Sequence, residues 1–363
     1  MDGVAVRAVL ARAPALTAAH LCALASAASS DLTRCIDLET LARVALPERA
    51  GAYLTFPDER LLDSDLRWID SAGAKLIAAL DPSYPELLLQ LADAPPVLYL
   101  LGQIEQLGSK QIAMVGARNA TAQGCRAARE FAAEFAGARI TVTSGLAAGI
   151  DAHSHEGALS AAGATIAVCG TGLDRIYPTQ HAGLAERIRG QGALVSEFPP
   201  GTPPLRANFP RRNRVISGLS SGIVVVEAAR QSGSLSTARH ALRQGRPVFA
   251  RPGPVGHSLS GGCHELIRAG ARLVEKPSQV LSQLGIPHKN ERVARRRDRR
   301  AAAAAMDKGY EMLLDALGFE PATVDVLAFR TGLTAESIAS MLLVLELQGH
   351  VASYPGGRFG RIP

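Results

Sequence analysis

Arginines surround a single phenylalanine in one short stretch of the chain. The stretch reads Arg-Ala-Asn-Phe-Pro-Arg-Arg-Asn-Arg, and we single out Arg206, Phe209, Arg211, Arg212, Asn213 and Arg214. Guanidinium groups bind phosphate through paired hydrogen bonds, and an aromatic ring among them can stack on an unpaired base. The alternative is a solvated basic helix in which Phe209 only packs inward. The pattern favours a site for single-stranded nucleic acid.

Positive charge is concentrated around this stretch rather than spread along the chain. Residues 206–251 contain nine arginines, no lysine and one acid, Glu227, which gives a local charge of +8. The whole chain of 363 residues carries +6, so the remainder is slightly acidic. One segment therefore supplies the field that would attract a polyanion.

Three segments rich in glycine and serine connect predicted strands to predicted helices. They span 116–121, 144–151 and 231–237. Small residues there expose backbone N–H groups at a helix N-terminus, where the helix dipole favours an anion. Each could be no more than a turn and a cap, but three at the carboxyl edge of one sheet predict a shared site. The residues that we assign to it are Gly116, Arg118, Ser144, Gly145, Ser232, Gly233 and Ser234.

Short apolar runs must position these turns. Seven runs have the length of buried strands, and segments of helical length and composition, such as 121–136, 150–161 and 234–244, follow several of them. This alternation predicts βαβ units and a mainly parallel sheet covered on both faces, an α/β fold of the Rossmann-like three-layer kind. The runs are Gln111–Val115, Arg139–Thr143, Ala164–Cys169, Ala193–Glu197, Gly222–Glu227, Pro247–Ala250 and Ala271–Val274.

The chain divides into four predicted regions. Residues 1–72 form a helical module of the SAM or helix-hairpin-helix kind, and residues 75–287 form the Rossmann-like core. Residues 288–305 carry +5 and almost no large apolar side chain, which predicts a linker, either a solvated tether or a nonspecific phosphate contact. Residues 306–363 contain three helical stretches and a hairpin, which predict a winged helix. The helices expected in the first region span 4–12, 17–27, 31–43 and 59–71.

The third helix of the predicted winged helix, Ala335–Gln348, lacks the chemistry of a duplex reader. It contains no lysine or arginine, and it carries Glu336 and Glu346. Helices that enter the major groove place basic or amide side chains on base edges. We therefore expect a module for protein interaction or self-association, with a duplex reader as the alternative.

Several apparent motifs carry no chemistry. Residues 218–222 match G-x-S-x-G but follow a helix and precede a strand, the reverse of a nucleophile elbow. Asp151 and His155 share a helix face whereas His153 points away, so we expect a hydrogen-bonded pair at the helix start rather than a metal site. The chain has no GxGxxG and no P-loop sequence, so we predict no cofactor and no metal.

Composition narrows the class of protein. Hydrophobic residues make up 47% and charged residues 20%, which excludes a disordered chain. Five scattered cysteines without CxxC spacing indicate buried thiols in a reducing compartment. A mostly apolar run at 13–30 could be a signal peptide, but its polar residues favour a helix pair. We expect a cytoplasmic protein without a membrane span.

The motifs together are similar to those of the bacterial DNA-processing protein A family (DprA/Smf). The resemblance is strong over residues 75–285 and weaker towards both ends. The segments that carry it are Gly116-Ala117-Arg118, SGLAAGIDAHSHEGAL (Ser144–Leu159), GTGLDRIYP (Gly170–Pro178), SEFPPGTPP (Ser196–Pro204), NFPRRNRVISGLS (Asn208–Ser220), VVVEAARQSGSLSTARHALRQGRPVFARPG (Val224–Gly253) and the stretch 262–270.

The resemblance implies a core that binds single-stranded DNA, forms homodimers and helps to load the RecA recombinase during natural transformation. It implies no enzymatic activity. Arg118, Arg206 and Phe209 match DNA-contacting positions of the family, although some members carry lysine in place of Arg206, which changes the geometry of the contact.

An enzyme is the alternative from another class. Rossmann-like proteins that cleave nucleotide N-glycosidic bonds also place small residues over a phosphate, with a glutamate nearby, and Glu197 and Glu227 lie at predicted strand ends. The expected PGGxGT-type turn is replaced here by Gln231-Ser232-Gly233-Ser234. We interpret the one glutamate among nine arginines, Glu227, as an ion-pair partner that orders them.

Overall fold

The computed structural model describes residues 2–287, 309–318 and 320–362. The chain forms two compact units, residues 1–288 and 289–363, which are described separately. The predicted basic linker, 288–305, lies outside the described residues.

The first unit begins with five α-helices. Side-chain caps explain several of their starts: the Asp2 carboxylate accepts a hydrogen bond from the Ala5 amide at 2.8 Å, and the Thr17 hydroxyl accepts one from the amide of His20. The single helix expected over 31–43 is wrong, because a 3-10 turn at Leu32–Arg34 and a four-residue helix replace it. The five helices are α1 (Gly3–Arg12), α2 (Ala18–Ala27), α3 (Leu38–Leu41), α4 (Glu48–Thr55) and α5 (Glu59–Ala72).

These helices share one core with the sheet that follows. Val9 and Leu21 of the helices lie in the same buried cluster as Leu98 of a strand. The Arg12 guanidinium also pairs with Asp65 at 2.5 Å and donates to the carbonyl oxygen of Pro200 at 3.0 Å. Residues 1–72 are therefore packed on the core in this structure rather than forming a body of their own.

A nine-stranded sheet forms the centre of the first unit, in the order β1-β2-β6-β5-β4-β3-β7-β8-β9. The strands from β6 to β9 in this order are parallel. The sequence patterns did not predict β1 and β2, and β2 pairs antiparallel with both of its neighbours, β6 and β1. The strands are β1 (Lys75–Ala78), β2 (Val97–Gly102), β3 (Gln111–Val115), β4 (Thr141–Ser144), β5 (Thr165–Val168), β6 (Ala193–Ser196), β7 (Ile223–Val225), β8 (Val248–Ala250) and β9 (Arg272–Leu273).

Helices cover both faces of the sheet. Alternate residues of β3 show this, because Ile112 and Met114 belong to one buried cluster whereas Ala113 and Val115 belong to another. The predicted α/β three-layer fold is confirmed. The helices are α6 (Glu86–Leu89), α7 (Ala122–Gly137), α8 (Ile150–Ser160), α9 (Ala182–Gln191), α10 (Asn208–Leu219), α11 (Ser234–Arg243), α12 (Gly261–Arg268) and α13 (Pro277–Gln283).

The strand order reverses between β3 and β7. From β3 the chain adds β4, β5 and β6 on one side, and β7, β8 and β9 then extend the sheet on the other. Connections on opposite faces leave a crevice at such a point, outside the carboxyl ends of the strands. The topology thus determines where a ligand site would lie.

The second unit is a winged helix, as predicted. Its helices pack around Leu327, Ile338 and Leu342, and its small sheet has the order β10-β12-β11. The elements are α14 (309–317), β10 (Ala322–Thr323), α15 (Val324–Thr331), α16 (Ala335–Leu347), β11 (Val351–Tyr354) and β12 (Arg358–Arg361).

Within the described ranges, no single helix has the length and apolar composition needed to cross a membrane. The helices α15 and α16 satisfy the length and composition only when joined, and the chain bends by 110° between them.

All five cysteines are free thiols. Cys35, Cys169 and Cys263 are buried as expected, and burial raises the pKa of each of these thiols to about 11. Cys22 and Cys125 are only partly buried, so the expectation of five buried thiols is wrong for these two.

Candidate nucleic-acid interface

A cleft of about 970 Å³ opens where the strand order reverses. The turn after β3 and the turn after β7 form two of its sides, and the start of α10 forms another. We call it the switch-point cleft. Of the predicted site residues, those that line it are Gly116, Arg118, Arg206, Phe209, Arg212, Asn213, Ser232, Gly233 and Ser234.

The turn after β3 is held close to β7. A Cβ atom on Gly116 would lie 2.5 Å from Cγ1 of Ile150 and 2.8 Å from the carbonyl oxygen of Glu227, so a larger residue would displace the turn. The Glu227 carboxylate accepts hydrogen bonds from the Thr121 amide at 2.9 Å and from its hydroxyl at 2.6 Å. This arrangement leaves Arg118 exposed at the edge of the cleft.

Glu227 is therefore not the partner of the arginines that we predicted. Glu197, at the end of β6, has that role: its carboxylate pairs with Arg214 at 2.5 Å and with Arg211 at 3.0 Å. Burial raises the pKa of Glu197, and the positive charges of Arg214 and Arg211 oppose that rise. Neither glutamate lines the cleft, so neither stands where a ligand in the cleft would meet it.

Two aromatic rings and a guanidinium group meet inside the cleft. The ring centroids of Phe209 and Tyr177 are 5.6 Å apart with the planes tilted by 44°, and Cζ of Arg118 lies 5.7 Å from the centre of the Phe209 ring. Gly170 permits this packing, since a Cβ there would lie 3.0 Å from the ring of Phe209. The cleft therefore offers an aromatic surface beside an exposed cation.

Tyr177 is a cleft residue that the sequence patterns did not single out. It lies in the segment Gly170–Pro178, which we quoted only for its resemblance to a family motif. One tyrosine in a turn gives no periodic signal, and its proximity to Phe209 arises from the fold. The tyrosine in that segment was the signal that could have identified it.

The turn after β7 places polar atoms on the opposite side of the cleft. The hydroxyl groups of Ser232 and Ser234 are hydrogen bonded to each other at 2.7 Å, and Gly233 is exposed. The Asn213 side-chain amide donates to the hydroxyl of Ser236 at 2.7 Å, which links α10 to α11. The N-terminus of α11 opens here, so its dipole contributes positive potential.

The third predicted turn does not open into the cleft in the same way. Ser144 and Gly145 are buried: the Ser144 hydroxyl donates to the carbonyl oxygen of Met114 at 2.6 Å, and the Gly145 amide donates to Asp151 at 3.2 Å. The Ala147 amide also donates to Asp151, at 3.4 Å. The Asp151 carboxylate thus occupies the place where an external anion would bind, and burial raises its pKa while Arg212 opposes that rise.

The expected pair of Asp151 and His155 is not formed. The Nδ1 atom of His155 lies 2.7 Å from the Thr165 hydroxyl, which itself donates to the carbonyl oxygen of Val142, so Nδ1 is the donor to Thr165. Burial lowers the pKa of His155 to about 3 and keeps its ring neutral. Among the residues that the structure describes, no group of three or more His, Cys, Asp or Glu side chains could hold a metal ion.

The arginines of α10 and the loop before it divide into exposed and buried ones. Arg206 and Arg211 are exposed, whereas Arg212 and Arg214 are buried. The Arg212 guanidinium donates to the carbonyl oxygens of Gly145, at 2.5 Å, and Val168, so it joins the ends of β4 and β5 beneath the cleft. Ser144, Gly145, Arg211 and Arg214 do not line the cleft.

The segment 218–222 includes the last two residues of α10 and leads into β7, as expected for a sequence that is not a nucleophile elbow. Ser220 is buried, and its hydroxyl donates to the carbonyl oxygen of Ile216 at 2.9 Å. No attacking hydroxyl is presented there.

Comparison with known proteins identifies relatives over most of the chain. The family model described as DNA recombination-mediator protein A matches residues 75–285, and the DprA winged helix domain matches residues 297–357. Protein Smf of Escherichia coli is 44% identical over 329 residues, which cover 89% of this chain and 87% of that protein. DNA processing protein DprA of Streptococcus pneumoniae is 42% identical over 204 residues, 56% of this chain and 72% of that protein.

Two solved structures show the same similarity. The X-ray structure of DprA from Streptococcus pneumoniae aligns with a TM-score of 0.65 and 33% identity, over 75% of this chain and 95% of that one. DprA from Helicobacter pylori, whose structure concerns its mode of binding single-stranded DNA, aligns with a TM-score of 0.54 and 28% identity, over 60% of this chain and 97% of that one. On these matches, the chain belongs to the DNA-processing protein A (DprA/Smf) family.

Proposed function

We propose that the switch-point cleft binds single-stranded DNA and that the protein acts as a recombination mediator rather than as an enzyme. The observation that carries this proposal is the meeting of exposed Arg118 and Arg206 with the rings of Phe209 and Tyr177 in one cleft. Cations beside stacking surfaces suit a strand whose phosphates and bases are both accessible.

A single strand fits this chemistry better than a duplex. Stacking on Phe209 requires an unpaired base, because the faces of bases within a duplex are covered by their neighbours. The N-terminus of α11 and the side chains of Ser232, Ser234 and Asn213 provide further donors for phosphate oxygens.

The predicted contacts divide into two proposed roles. We assign direct contact to the predicted residues that line the cleft with exposed or partly exposed groups: Gly116, Arg118, Arg206, Phe209, Asn213, Ser232, Gly233 and Ser234. We assign support of the cleft to the buried Ser144, Gly145, Arg212 and Arg214, and to Arg211 through its ion pair with Glu197.

The wider role rests on family membership. We propose that the protein forms homodimers, protects incoming single strands and helps to load RecA onto them during natural transformation, in the cytoplasm. The free thiols suit a reducing compartment. Two copies would present two clefts on one particle, so long strands should bind with avidity.

Salt-dependent binding tests the proposal. With about four phosphate contacts, the logarithm of the association constant for single-stranded DNA should fall against the logarithm of salt concentration with a slope of about −3. Duplex DNA of the same length should bind much more weakly. Equal affinity for both forms at moderate salt would contradict the proposal. Release of free base from nucleoside monophosphates would also contradict it and would indicate the glycosidase alternative.

Sedimentation tests the assembly. A dimer is expected at micromolar concentration, with a further, faster species when RecA and single-stranded DNA are added together. A species of 38.0 kDa alone would exclude the dimer, and unchanged sedimentation of both proteins in the mixture would argue against direct contact with RecA.

A further inference from the structure

A second cavity of about 570 Å³ adjoins the switch-point cleft. We call it the basic basin, and the residues that define it are Ala229, Arg230, Gln231, His257, His264 and Arg268. Ala229 and Gln231 line both cavities, so the two cavities lie against the same segment after β7. A flexible polymer in the cleft can therefore continue into the basin without leaving the surface.

The basin carries exposed positive charge. Arg268 is exposed and has no ion-pair partner among the described residues. Arg230 lies across Gly261, where an added Cβ would be 3.1 Å from its Cγ, and its Nε pairs with Glu265 at 3.3 Å. Both members of that pair are solvent exposed, at 70% and 43%, so the pair is weak and leaves the outer nitrogens of Arg230 available.

The two histidines are held by the backbone around the basin. The Nδ1 atom of His257 accepts a hydrogen bond from the Leu259 amide at 3.3 Å, so a neutral His257 carries its proton on Nε2 and presents it as a donor. The Nε2 atom of His264 donates to the carbonyl oxygen of Gly253 at 3.0 Å, which holds its ring in place. The described residues that line the basin include no Phe, Tyr or Trp. The basin therefore suits phosphate oxygens rather than stacked bases.

We infer that the basic basin binds the phosphodiester backbone of a single strand as it leaves the switch-point cleft. The inference rests on the proposed function, since it assigns the cleft to the same strand. The cleft holds bases against aromatic rings, and the basin adds a site for backbone alone. Strands long enough to reach the basin should then bind more tightly than strands that fill only the cleft.

A length series tests this inference. Fluorescence anisotropy would measure binding of oligothymidylates from about 4 to about 16 nucleotides, the range of site sizes known for single-strand-binding folds. The double variant Arg230→Gln, Arg268→Gln should match the unchanged protein on the shortest strands that bind and lose roughly tenfold on the longest. On the longer strands only, the magnitude of the slope of binding against salt should decrease by about 1.4, which is about 0.7 for each of the two lost contacts.

The matched control removes two other exposed arginines from the same unit. Arg34 pairs with Asp37 on the surface, as Arg230 does with Glu265, and Arg187 is exposed on α9. The double variant Arg34→Gln, Arg187→Gln should behave as the unchanged protein at every length. If both double variants lose affinity equally, the effect is one of net charge and the basin is not a site.

Two other outcomes overturn the inference. An unchanged length dependence in the Arg230→Gln, Arg268→Gln variant would show that the strand avoids the basin, even while Arg118 and Phe209 variants still weaken binding. Calorimetry with pyrophosphate gives the other outcome. If pyrophosphate binds tightly to the unchanged protein and not to this variant, while the length series is the same for both, the basin binds a separate phosphorylated ligand. Failure of the unchanged protein to bind single strands would instead contradict the proposed function.

Discussion

At the scale of single residues, Phe209 and Arg118 have different expected contributions. The Arg118 guanidinium lies over the Phe209 ring, so a base that stacks there must displace the cation or stack on it. The ring contributes stacking, which depends little on salt, whereas the guanidinium contributes charge, which depends on it strongly. Variants at the two positions can therefore be told apart.

Replacing Phe209 by alanine should weaken binding of single-stranded DNA by about 1–3 kcal/mol and leave the salt slope nearly unchanged. Replacing Arg118 by glutamine should instead reduce the slope by about 0.7. Anisotropy titrations at several salt concentrations measure both effects. Tyr177→Phe, which keeps the ring, is the control and should bind as the unchanged protein. A reversed pattern, with the slope altered by Phe209→Ala, would show that the roles are wrongly assigned.

The buried His155 should make the first unit sensitive to acid. Its pKa is lowered to about 3 in the folded state, against about 6.5 in an unfolded chain. The unfolded state therefore binds more protons between these values, and stability falls as the pH falls from about 6.5 towards 3. The loss from this residue approaches about 1.4 kcal/mol per pH unit.

Urea unfolding at several pH values measures this loss, and fluorescence of the single tryptophan, Trp68 in α5, reports on the first unit. His155→Gln should flatten the pH dependence, while His257→Gln, at an exposed position, should preserve it. An equal slope in the His155 variant and the unchanged protein would place the acid sensitivity elsewhere.

At the scale of elements, α10 connects the charged surface to the core. Its Arg214 and the Glu197 carboxylate at the end of β6 are both buried, and the side chains are exposed by only 7% and 2%. The exposed Arg211 shares the same carboxylate. The loop before α10 supplies Arg206 and the first turn of the helix supplies Phe209, so the position of α10 determines the geometry of the cleft.

Glu197→Gln should destabilise the first unit by about 3–5 kcal/mol, because it removes the buried counter-charge of Arg214 and leaves only the exposed Asp93 carboxylate, 3.5 Å away. Arg211→Gln should cost about 1 kcal/mol or less, since it removes only the exposed partner. Urea unfolding followed by Trp68 fluorescence compares the two variants. Similar small losses in both would mean that the buried pair is not needed to hold α10.

At the scale of the whole molecule, the second unit does not have the surface expected of a duplex reader. Its third helix, α16, exposes Leu343 and Leu347, and α15 exposes 92% of Phe329. Exposed apolar side chains of this kind are typical of protein interaction sites. Arg358 and Arg361 of the hairpin are exposed, but α16 itself carries no lysine or arginine.

A chain that ends at His288 should therefore keep most of its affinity for single-stranded DNA, because every residue that lines the cleft lies before that point. Any loss of affinity should be of the size expected from removing the positive charge of residues 289–305. The same truncation in the Phe209→Ala background should add little further loss. If the full chain binds a duplex with sequence preference and the truncated chain does not, the assignment of the second unit to protein contact is wrong.

Local patterns in the sequence determined the class of fold. The alternation of buried runs with helical segments predicts the parallel sheet, since period and length are properties of a few neighbouring residues. Local patterns also predicted the winged helix, and the charge concentrated between Arg206 and Arg251 is likewise a property of neighbouring residues. The strands β1 and β2 were not predicted, because their sequence patterns do not belong to a βαβ unit.

Tertiary structure decided which of the basic residues face solvent. The sequence places Arg206, Arg211, Arg212 and Arg214 in one run, but burial depends on partners supplied by distant strands, such as Glu197 and the carbonyl oxygens of Gly145 and Val168. Tyr177 likewise reaches Phe209 across 32 positions of chain. A buried charge is stable only where remote groups satisfy it, and no local pattern records where those groups will be.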